Sequence, residues 1–460
     1  MPSSLAAFKA YDVRGRVPED LDERLVFTLG REVSGMLNAT TAVVGYDARE
    51  ESPALFNSLC AGLQAAGVNV FSLGMCGTEE VYHATGAFGH DVGIMVTASH
   101  NPKGYNGLKL IKADGIAFSG EDLKALEALV ASGLDAAPSV IPLVEGINTL
   151  PDARDAYLTH ILSMVSAKSL KPMKIVVNCM NGSAGPTLRA LAERLPQMTW
   201  IFMQDEPDGT FPYGLPNPLL PEQRKRTADA IREHSADLGV AFDGDFDRCF
   251  VFDHEGHFVS PYYTLGLLVE ALLPEHPGAT IVHDPRLYWD TIDTIDRLGG
   301  TPAVSRGGHL FFKQKMRETG AIFGAEVSGH YFFKDFYYCD SGVLPFLFVL
   351  RVMSETGKTL LDLVAHRREH ISASEETNFR LSAPVHEVLD AVRLATGSAT
   401  TEMIDGLGFT FDTWRMNIRS SNTEPLLRLN IEAKDPETLV REHSRLLDVI
   451  CAAGATLSDH

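Results

Sequence analysis

The chain lacks any CxxC spacing. Its six cysteines, Cys60, Cys76, Cys179, Cys249, Cys339 and Cys451, are scattered and read as reduced core or loop residues, so the protein is expected in the cytoplasm. Long apolar runs are also missing: nothing approaches the roughly 18 residues of a membrane span. The best candidate, Val343–Val349, is short, contains Pro345 and is followed by Arg351. Lys9 and Asp12 stand where a signal peptide would need its apolar segment. Positive charge is scarce, with 40 Lys and Arg against 60 Asp and Glu, a net charge of -20. Neither nucleic acid nor an anionic membrane is therefore expected as a partner. An anionic ligand would have to be met by locally gathered Lys, Arg and His.

What is present is ample material for cores: 460 residues, 45% of them apolar. That length predicts several domains rather than one. Up to about residue 148, strand-like runs (41–45, 68–73, 93–97, 108–111) alternate with helix-like stretches (21–37, 52–66, 120–131). Such alternation predicts an α/β layer structure. A second α/β unit follows, with strands over 174–178, 199–203 and 238–242 and helices over 184–195 and 222–234. A third runs through 279–283, 289–297, 302–305, 310–318, 321–324 and 342–355. From about residue 368 the pattern changes to strands over 409–412, 415–418 and 426–432 and a closing helix over 436–453, a small α+β unit. The expected domains are 1–148, 149–253, 254–367 and 368–460.

Four stretches carry candidate chemistry, one in each domain. The apolar run Val92–Val96 is followed by Thr97-Ala98-Ser99-His100-Asn101-Pro102. A serine just past a buried strand has an exposed hydroxyl on a fixed backbone, suited to a nucleophile or a covalently carried group. An ordinary turn uses the same residue types. The second stretch is Asp243-Gly244-Asp245-Phe246-Asp247-Arg248. Three carboxylates at every second residue suit a hard cation and repel one another without one. An EF-hand is excluded, since its sixth and twelfth loop positions would be Arg248 and His254 and its flank Cys249–Phe252 is strand-like. The third is Glu326-Val327-Ser328-Gly329-His330, able to hydrogen-bond sugar hydroxyls or to be a plain polar loop. The fourth is Arg419-Ser420-Ser421-Asn422-Thr423-Glu424-Pro425, an oxyanion cradle or a tight turn.

Together, and with Phe8-Lys9-Ala10-Tyr11-Asp12-Val13-Arg14-Gly15 at the start, these motifs resemble in order and over nearly the whole chain the α-D-phosphohexomutase family, in particular its bacterial phosphomannomutase/phosphoglucomutase group. The resemblance implies four domains around a central cleft, three similar α/β domains with mixed sheets and a C-terminal α+β domain. It makes Ser99 the phosphorylated serine. Asp243, Asp245 and Asp247 become Mg²⁺ ligands, with an oxygen on Ser99 completing the set. Glu326 and Ser328 would bind sugar hydroxyls. Arg419, Ser421, Asn422 and Thr423 would hold the phosphate that is not transferred. Tyr11, Arg14, His100, Lys109, Arg248, Arg286 and His309 would line the site, Lys109 and His309 being candidates for general acid or base. The implied reaction interconverts hexose 6-phosphate and hexose 1-phosphate, mannose or glucose, through a phosphoserine enzyme and a 1,6-bisphosphate that also serves as activator. The expected partners are small sugar phosphates, and the expected assembly is a monomer or a dimer.

The chain departs from the family pattern at Ala325, where glycine is usual, at Arg286, where lysine is frequent, and at Arg306-Gly307-Gly308-His309, where a threonine is usual. Val327 stands where methionine is common; glutamine there would have pointed to an amino sugar. Gly77-Thr78-Glu79-Glu80 resembles a variant found in one set of bacterial phosphomannomutases. These differences bear on the sugar, not on the reaction type. The alternatives are a phosphoglucosamine mutase, a Mg²⁺-dependent sugar phosphatase, and a non-catalytic sugar-phosphate sensor. Phosphate release without an isomer would favour the phosphatase. The sensor has no need of three carboxylates beside a serine.

Overall fold

The apolar run before Ser99 is the strand Val92–Val96, with all five side chains buried. In the computed structural model, which describes residues 5–397, 400–420 and 426–458, it pairs in parallel with Thr41–Tyr46 and antiparallel with Tyr105–Lys112. The sheet runs in the order Val13–Arg16, Tyr105–Lys112, Val92–Val96, Thr41–Tyr46, Asn69–Met75, Asn148–Thr149. Its register sets Lys109 opposite Met95, so the lysine lies next to the strand end from which the Ser99 loop leaves. The flanking helix Glu23–Leu37 starts where the Asp22 side chain accepts from the Leu25 N–H at 2.8 Å.

A second mixed sheet has the order Cys249–Phe252, Leu238–Phe242, Lys174–Asn178, Thr199–Met203. Leu238–Phe242 pairs antiparallel with Cys249–Phe252 and in parallel with Lys174–Asn178, which is parallel to Thr199–Met203. The tight connection from Phe242 to Cys249 is the aspartate-rich loop, so its carboxylates leave the sheet at one buried point. The helix Val343–Thr356 is buried on every face from Val343 to Ser354. A helix apolar all round belongs in a core. Phe348 stacks on Phe333 at 5.6 Å, and Phe346 meets the edge of Trp200 at 6.2 Å. Among the described residues no helix is long and apolar enough to cross a membrane.

The chain forms two compact units, Met1–Phe258 with Ser328–Leu360, and Val259–Val327 with Leu361–His460. Within the second, Thr301–Val304, Thr280–His283 and Phe323–Ala325 are parallel neighbours. A second sheet there is antiparallel, in the order Thr400–Glu402, Leu407–Thr410, Trp414–Ser420, Leu426–Ala433, Thr377–Leu381, Ala455–Leu457. Its core gathers Phe379, Phe409, Met416, Ile418, Leu429 and Ile431 with Leu446 and Ile450 of the helix Pro436–Ala452. The fold class is thus α/β with a C-terminal α+β part.

Two differences from the sequence reading are informative. The strand expected over 409–412 is Leu407–Thr410, because Phe411 turns the hairpin, its N–H bonded to the Trp414 carbonyl at 2.9 Å and its ring stacked on Trp414. The helix Thr78–Ala87 was not anticipated. Thr78 through Thr85 are all buried, so it shows no polar face to give it a helical period.

His83 on that helix lies 5.2 Å from His160 and edge-on to Tyr157. Burial, with repulsion from His160, pushes its imidazole down from 6.5 to about 4. The unfolded chain therefore takes up a proton between pH 6.5 and about 4 that the folded chain refuses, so stability is lost as pH falls through this window. His83→Phe keeps an aromatic ring and removes that proton. Its melting temperature is expected to gain on the parent's as pH is lowered from 7 towards about 4, which a pH series of thermal melts checks.

Candidate active site

Ser99 takes φ of 50°, a left-handed conformation that non-glycine residues seldom adopt. Its surroundings hold it there. Ser99 N–H donates to Thr97 Oγ1 at 2.8 Å, and Arg49 Nη2 donates to the Ser99 carbonyl at 2.7 Å. Arg49 also bonds the carbonyls of Asn101, Pro102 and Tyr105 at 2.6, 3.0 and 3.0 Å, so one buried guanidinium ties the loop. The Ser99 hydroxyl donates to Asp243 Oδ2 at 2.6 Å, lies 3.0 Å from His100 Nδ1, and accepts from Arg248 Nη2 at 3.2 Å. Arg248 also reaches His100 Nδ1. The serine loop and the aspartate loop touch through Gly244, where a Cβ would stand 2.5 Å from the Ser99 carbonyl oxygen. Any side chain there would force them apart.

Asp243, Asp245 and Asp247 are buried, and each offers an oxygen within 4.8 Å of the others. Arg248 donates to Asp243 from Nε at 2.9 Å and from its backbone N–H at 3.2 Å. Lys109 Nζ donates to Asp245 Oδ2 at 2.7 Å and to Asp247 Oδ2. Burial pushes the Asp243 carboxyl well up, and repulsion from Asp247 and Asp245 adds to it. Burial acts the same way on Asp245, but Lys109 and the hydroxyl of Thr78 outweigh it and hold that carboxyl below its ordinary value. Burial lowers Lys109, yet Asp245 and Asp247 overcome this and keep it charged. Asp245 Oδ1 is buried without a hydrogen-bond partner among the described residues. Hard oxygens, crowded negative charge and an unanswered acceptor fit a divalent cation.

Arg14 donates to Asn101 Oδ1 at 2.9 Å and pairs with Asp12 at 2.8 Å, and Tyr11 acts on its guanidinium. His330 Nε2 is 3.5 Å from Asp247 Oδ1, and its Nδ1 lies 2.8 Å from Ser328 Oγ. Ser99, His100, Arg248 and Asp243 are thus joined by direct contacts, as are Lys109, Asp245 and Asp247; Ser328 reaches Asp247 through His330, and Arg14 acts on Asp245 and Asp247 by its charge.

In the second unit, Arg286 chelates Asp284, with Nε 2.5 Å from Oδ1. It also lies 3.5 Å from Glu376 and 3.6 Å from Asp405. Arg419, near the end of the strand Trp414–Ser420, is 3.8 Å from each of the same two carboxylates. Burial lowers the Arg419 guanidinium and Arg286 adds repulsion. The two arginines thus meet at one point, facing the carboxylates of Asp284, Glu376 and Asp405. Glu326 accepts from the Gly308 N–H, just ahead of His309 at the start of the helix His309–Thr319. Ser421, Asn422 and Thr423 lie outside the described residues.

Sequence reasoning missed Arg49, Asp284, Glu376 and Asp405, and it singled out Thr78 only within the Gly77–Glu80 motif, with no contact to the aspartate loop. Arg49 and Thr78 act across about 50 and 167 residues of chain, which no local pattern encodes. Asp284 and Arg286 sit two apart, and that spacing was the one local signal available.

A hydroxyl held among carboxylates and cations on an α/β frame is the arrangement of a group-transfer enzyme, and the comparisons make it an isomerase that acts as a phosphotransferase. Four family models match in order: phosphoglucomutase/phosphomannomutase alpha/beta/alpha domain I over residues 5–136, domain II over 155–256, domain III over 260–370, and the C-terminal domain over 376–449. A phosphomannomutase of Salmonella montevideo is 45% identical over 449 residues, covering 96% of this chain and 98% of that one. A Xanthomonas campestris protein named phosphohexose mutases is 45% identical over 452 residues, covering 96% and 99%. The crystal structure of a phosphoglucomutase/phosphomannomutase family protein from Burkholderia thailandensis superposes with a TM-score of 0.85 at 30% identity, covering 99% of each chain. The chain belongs to the phosphoglucomutase/phosphomannomutase family, and it is a phosphohexomutase.

Proposed function

We propose that the protein interconverts the 6- and 1-phosphates of mannose and glucose by way of Ser99, as a small-molecule enzyme of the cytoplasm that acts as a monomer or dimer of four domains, 1–148, 149–253, 254–367 and 368–460. The observation that carries the residue assignment is the Ser99 hydroxyl 2.6 Å from Asp243 inside a buried carboxylate triad. Phosphoserine 99 gives its phosphoryl group to the free hydroxyl of the bound hexose phosphate. The bond from phosphorus to Ser99 Oγ breaks, a bond to the sugar oxygen forms, and the sugar's proton ends on Oγ. The product, a hexose 1,6-bisphosphate, turns over, and Ser99 takes back the other phosphate. The same bisphosphate primes an unphosphorylated serine and so acts as activator.

Asp243, Asp245 and Asp247, with an oxygen on Ser99, would hold Mg²⁺, which supplies charge neutralisation to the phosphoryl oxygens when bound. Arg248 already touches the Ser99 hydroxyl and is placed to follow charge onto a phosphoryl group there. Lys109 and His309 are the two candidates for proton transfer, and Lys109, held charged by Asp245 and Asp247, also places positive charge beside the phosphoryl group. His100 touches the same hydroxyl and lines the site with Tyr11 and Arg14. Arg286 and Arg419 hold the idle phosphate, with Ser421, Asn422 and Thr423, and Glu326 and Ser328 bind sugar hydroxyls.

The test is a side-by-side assay of mannose, glucose and glucosamine 1-phosphates with Mg²⁺ and a bisphosphate primer. The two neutral hexoses are expected to be turned over and the amino sugar far more slowly. Phosphate release without isomer would replace the mutase reading by a phosphatase. Arg419→Ala is expected to raise KM for the hexose phosphate by roughly 10–100-fold, as loss of a charged hydrogen bond of about 1.5–3 kcal/mol requires. The kcat should change much less, and steady-state kinetics at saturating Mg²⁺ separates the two.

A further inference from the structure

Thr78 opens the helix Thr78–Ala87 on the first sheet, yet its bonds are to the aspartate loop of the second. The side chain is fully buried. Its hydroxyl donates to Asp245 Oδ2 at 2.6 Å, and its N–H donates to the Asp245 carbonyl at 3.1 Å. One residue is thus gripped twice, through its carboxylate and through its backbone.

The residues around Thr78 make it a firm mount. Gly77 lies flat against the Phe246 ring, where a Cβ would come within 2.1 Å of a ring carbon. Phe246 itself has φ of 45°, a strained turn for a residue with a bulky side chain. Glu80 accepts from the Gly77 N–H at 2.9 Å and from Thr187 Oγ1 at 3.0 Å, and pairs with Arg154 at 2.9 Å. Glu79 accepts from the N–H groups of Gly342 and Val343 at 3.1 and 3.2 Å and from the Ser341 hydroxyl. The four residues Gly77–Glu80 are therefore tied to the aspartate loop, to Arg154, to Thr187 and to Ser341–Val343, so the Thr78 hydroxyl is presented on a well-anchored backbone. Lys109 shares Asp245 Oδ2 with Thr78, so both donors hold one oxygen and leave Oδ1 without a hydrogen-bond partner among the described residues.

We propose that Thr78 is a positioning residue of the metal centre. Its hydroxyl fixes the Asp245 side chain so that Oδ1 is offered to the cation, an inference that rests on reading Asp243, Asp245 and Asp247 as the Mg²⁺ site. Without the hydroxyl, the Asp245 carboxylate keeps the Lys109 ammonium as its one hydrogen-bond donor among the described residues. Partners of metal ligands in other proteins alter affinity by about 10–100-fold when removed, and the same range is expected here.

The experiment is direct titration of the full chain with Mg²⁺ by calorimetry, without substrate, beside kcat, KM and thermal melts. Thr78→Val keeps the shape and removes the donor; Thr78→Ala also removes the methyl groups and relieves any crowding, so it serves if the valine variant does not fold. Both are expected to bind Mg²⁺ about 10–100-fold more weakly, with the KM for hexose phosphate at saturating Mg²⁺ unchanged. Thr78→Ser, which keeps the hydroxyl, is expected to restore most of the affinity. Parental Mg²⁺ affinity in the folded valine or alanine variant overturns the proposal, whatever happens to the melting temperature. If the parent itself binds no Mg²⁺ while turning over substrate, the reading of the metal site fails instead.

Discussion

Ser99→Ala loses mutase turnover by at least about 10³-fold, the loss that follows when the group forming the covalent intermediate is removed. Alanine has no atom on which a phosphoryl group could rest between donor and acceptor, so the two half-reactions lose their common intermediate. The fold should survive. Asp243 keeps its two bonds from Arg248, at 2.9 and 3.2 Å, and Arg49 still ties the loop through the Ser99 carbonyl at 2.7 Å. What disappears is one side-chain hydroxyl, a matter of about 1 kcal/mol. The check is turnover of hexose 1-phosphate at saturating bisphosphate and Mg²⁺, alongside a thermal melt. A variant that melts normally and still turns over at about a hundredth of the parental rate would mean that phosphate passes directly between sugars or through another carrier.

Lys109→Met carries the second large effect, and it acts on stability as well as rate. The parent places one ammonium against Asp245 and Asp247 in a buried pocket. Methionine keeps most of the bulk and leaves those carboxylates facing each other and Asp243. Arg14 still acts on Asp245, but its guanidinium is engaged by Asp12 and Asn101. Breaking a buried pair from one side costs about 3–5 kcal/mol, and that loss is expected in chelator.

The contribution of Asp245 to the pH dependence should change sign. In the parent, Asp245 titrates below its ordinary 3.8, so its contribution is in full force above that value and fades as pH falls through the lowered one. In the variant Asp245 loses the ammonium that holds it down, so burial raises it, it binds a proton more readily folded than unfolded, and its contribution is lost as pH rises. Parent and variant melts therefore converge in acid and diverge towards neutrality. Mg²⁺ should restore much of the variant's loss, because a ligand that binds only the folded state stabilises it by mass action. An Mg²⁺-independent deficit that is flat in pH would show that Lys109 only fills space. Turnover should fall as well, since the proposed proton donor is gone.

Much of this was legible in the residues. The strands Lys174–Asn178, Thr199–Met203, Leu238–Phe242 and Cys249–Phe252 are short apolar or β-branched runs with sharp ends, and the structure has them where the sequence puts them. Asp243, Asp245 and Asp247 stand out because alternate carboxylates at a strand end suit a hard cation, and the structure brings their oxygens within 4.8 Å of one another. What surrounds the site was not legible. Helix Thr78–Ala87 hides in a buried segment with no amphipathic period. Arg49 looks like any surface arginine until its guanidinium is seen collecting four carbonyls of the Ser99 loop region. Glu376 and Asp405 carry nothing in their neighbourhoods to say that they will face Arg286 and Arg419. Candidate ligand atoms stand out by their spacing. The groups that hold them obey tertiary contacts, which a single sequence does not record.

The first compact unit is discontinuous: Val259–Val327 is interposed before Ser328–Leu360 returns to it. This has a consequence for birth on the ribosome. A nascent polypeptide that has emerged only to Val327 has made the serine and aspartate loops but not the helix Val343–Thr356, so the apolar surface meant for that helix stands bare and Glu79 has none of Ser341, Gly342 or Val343 to satisfy it. Completion of the first unit therefore waits until about 30 further residues have been translated.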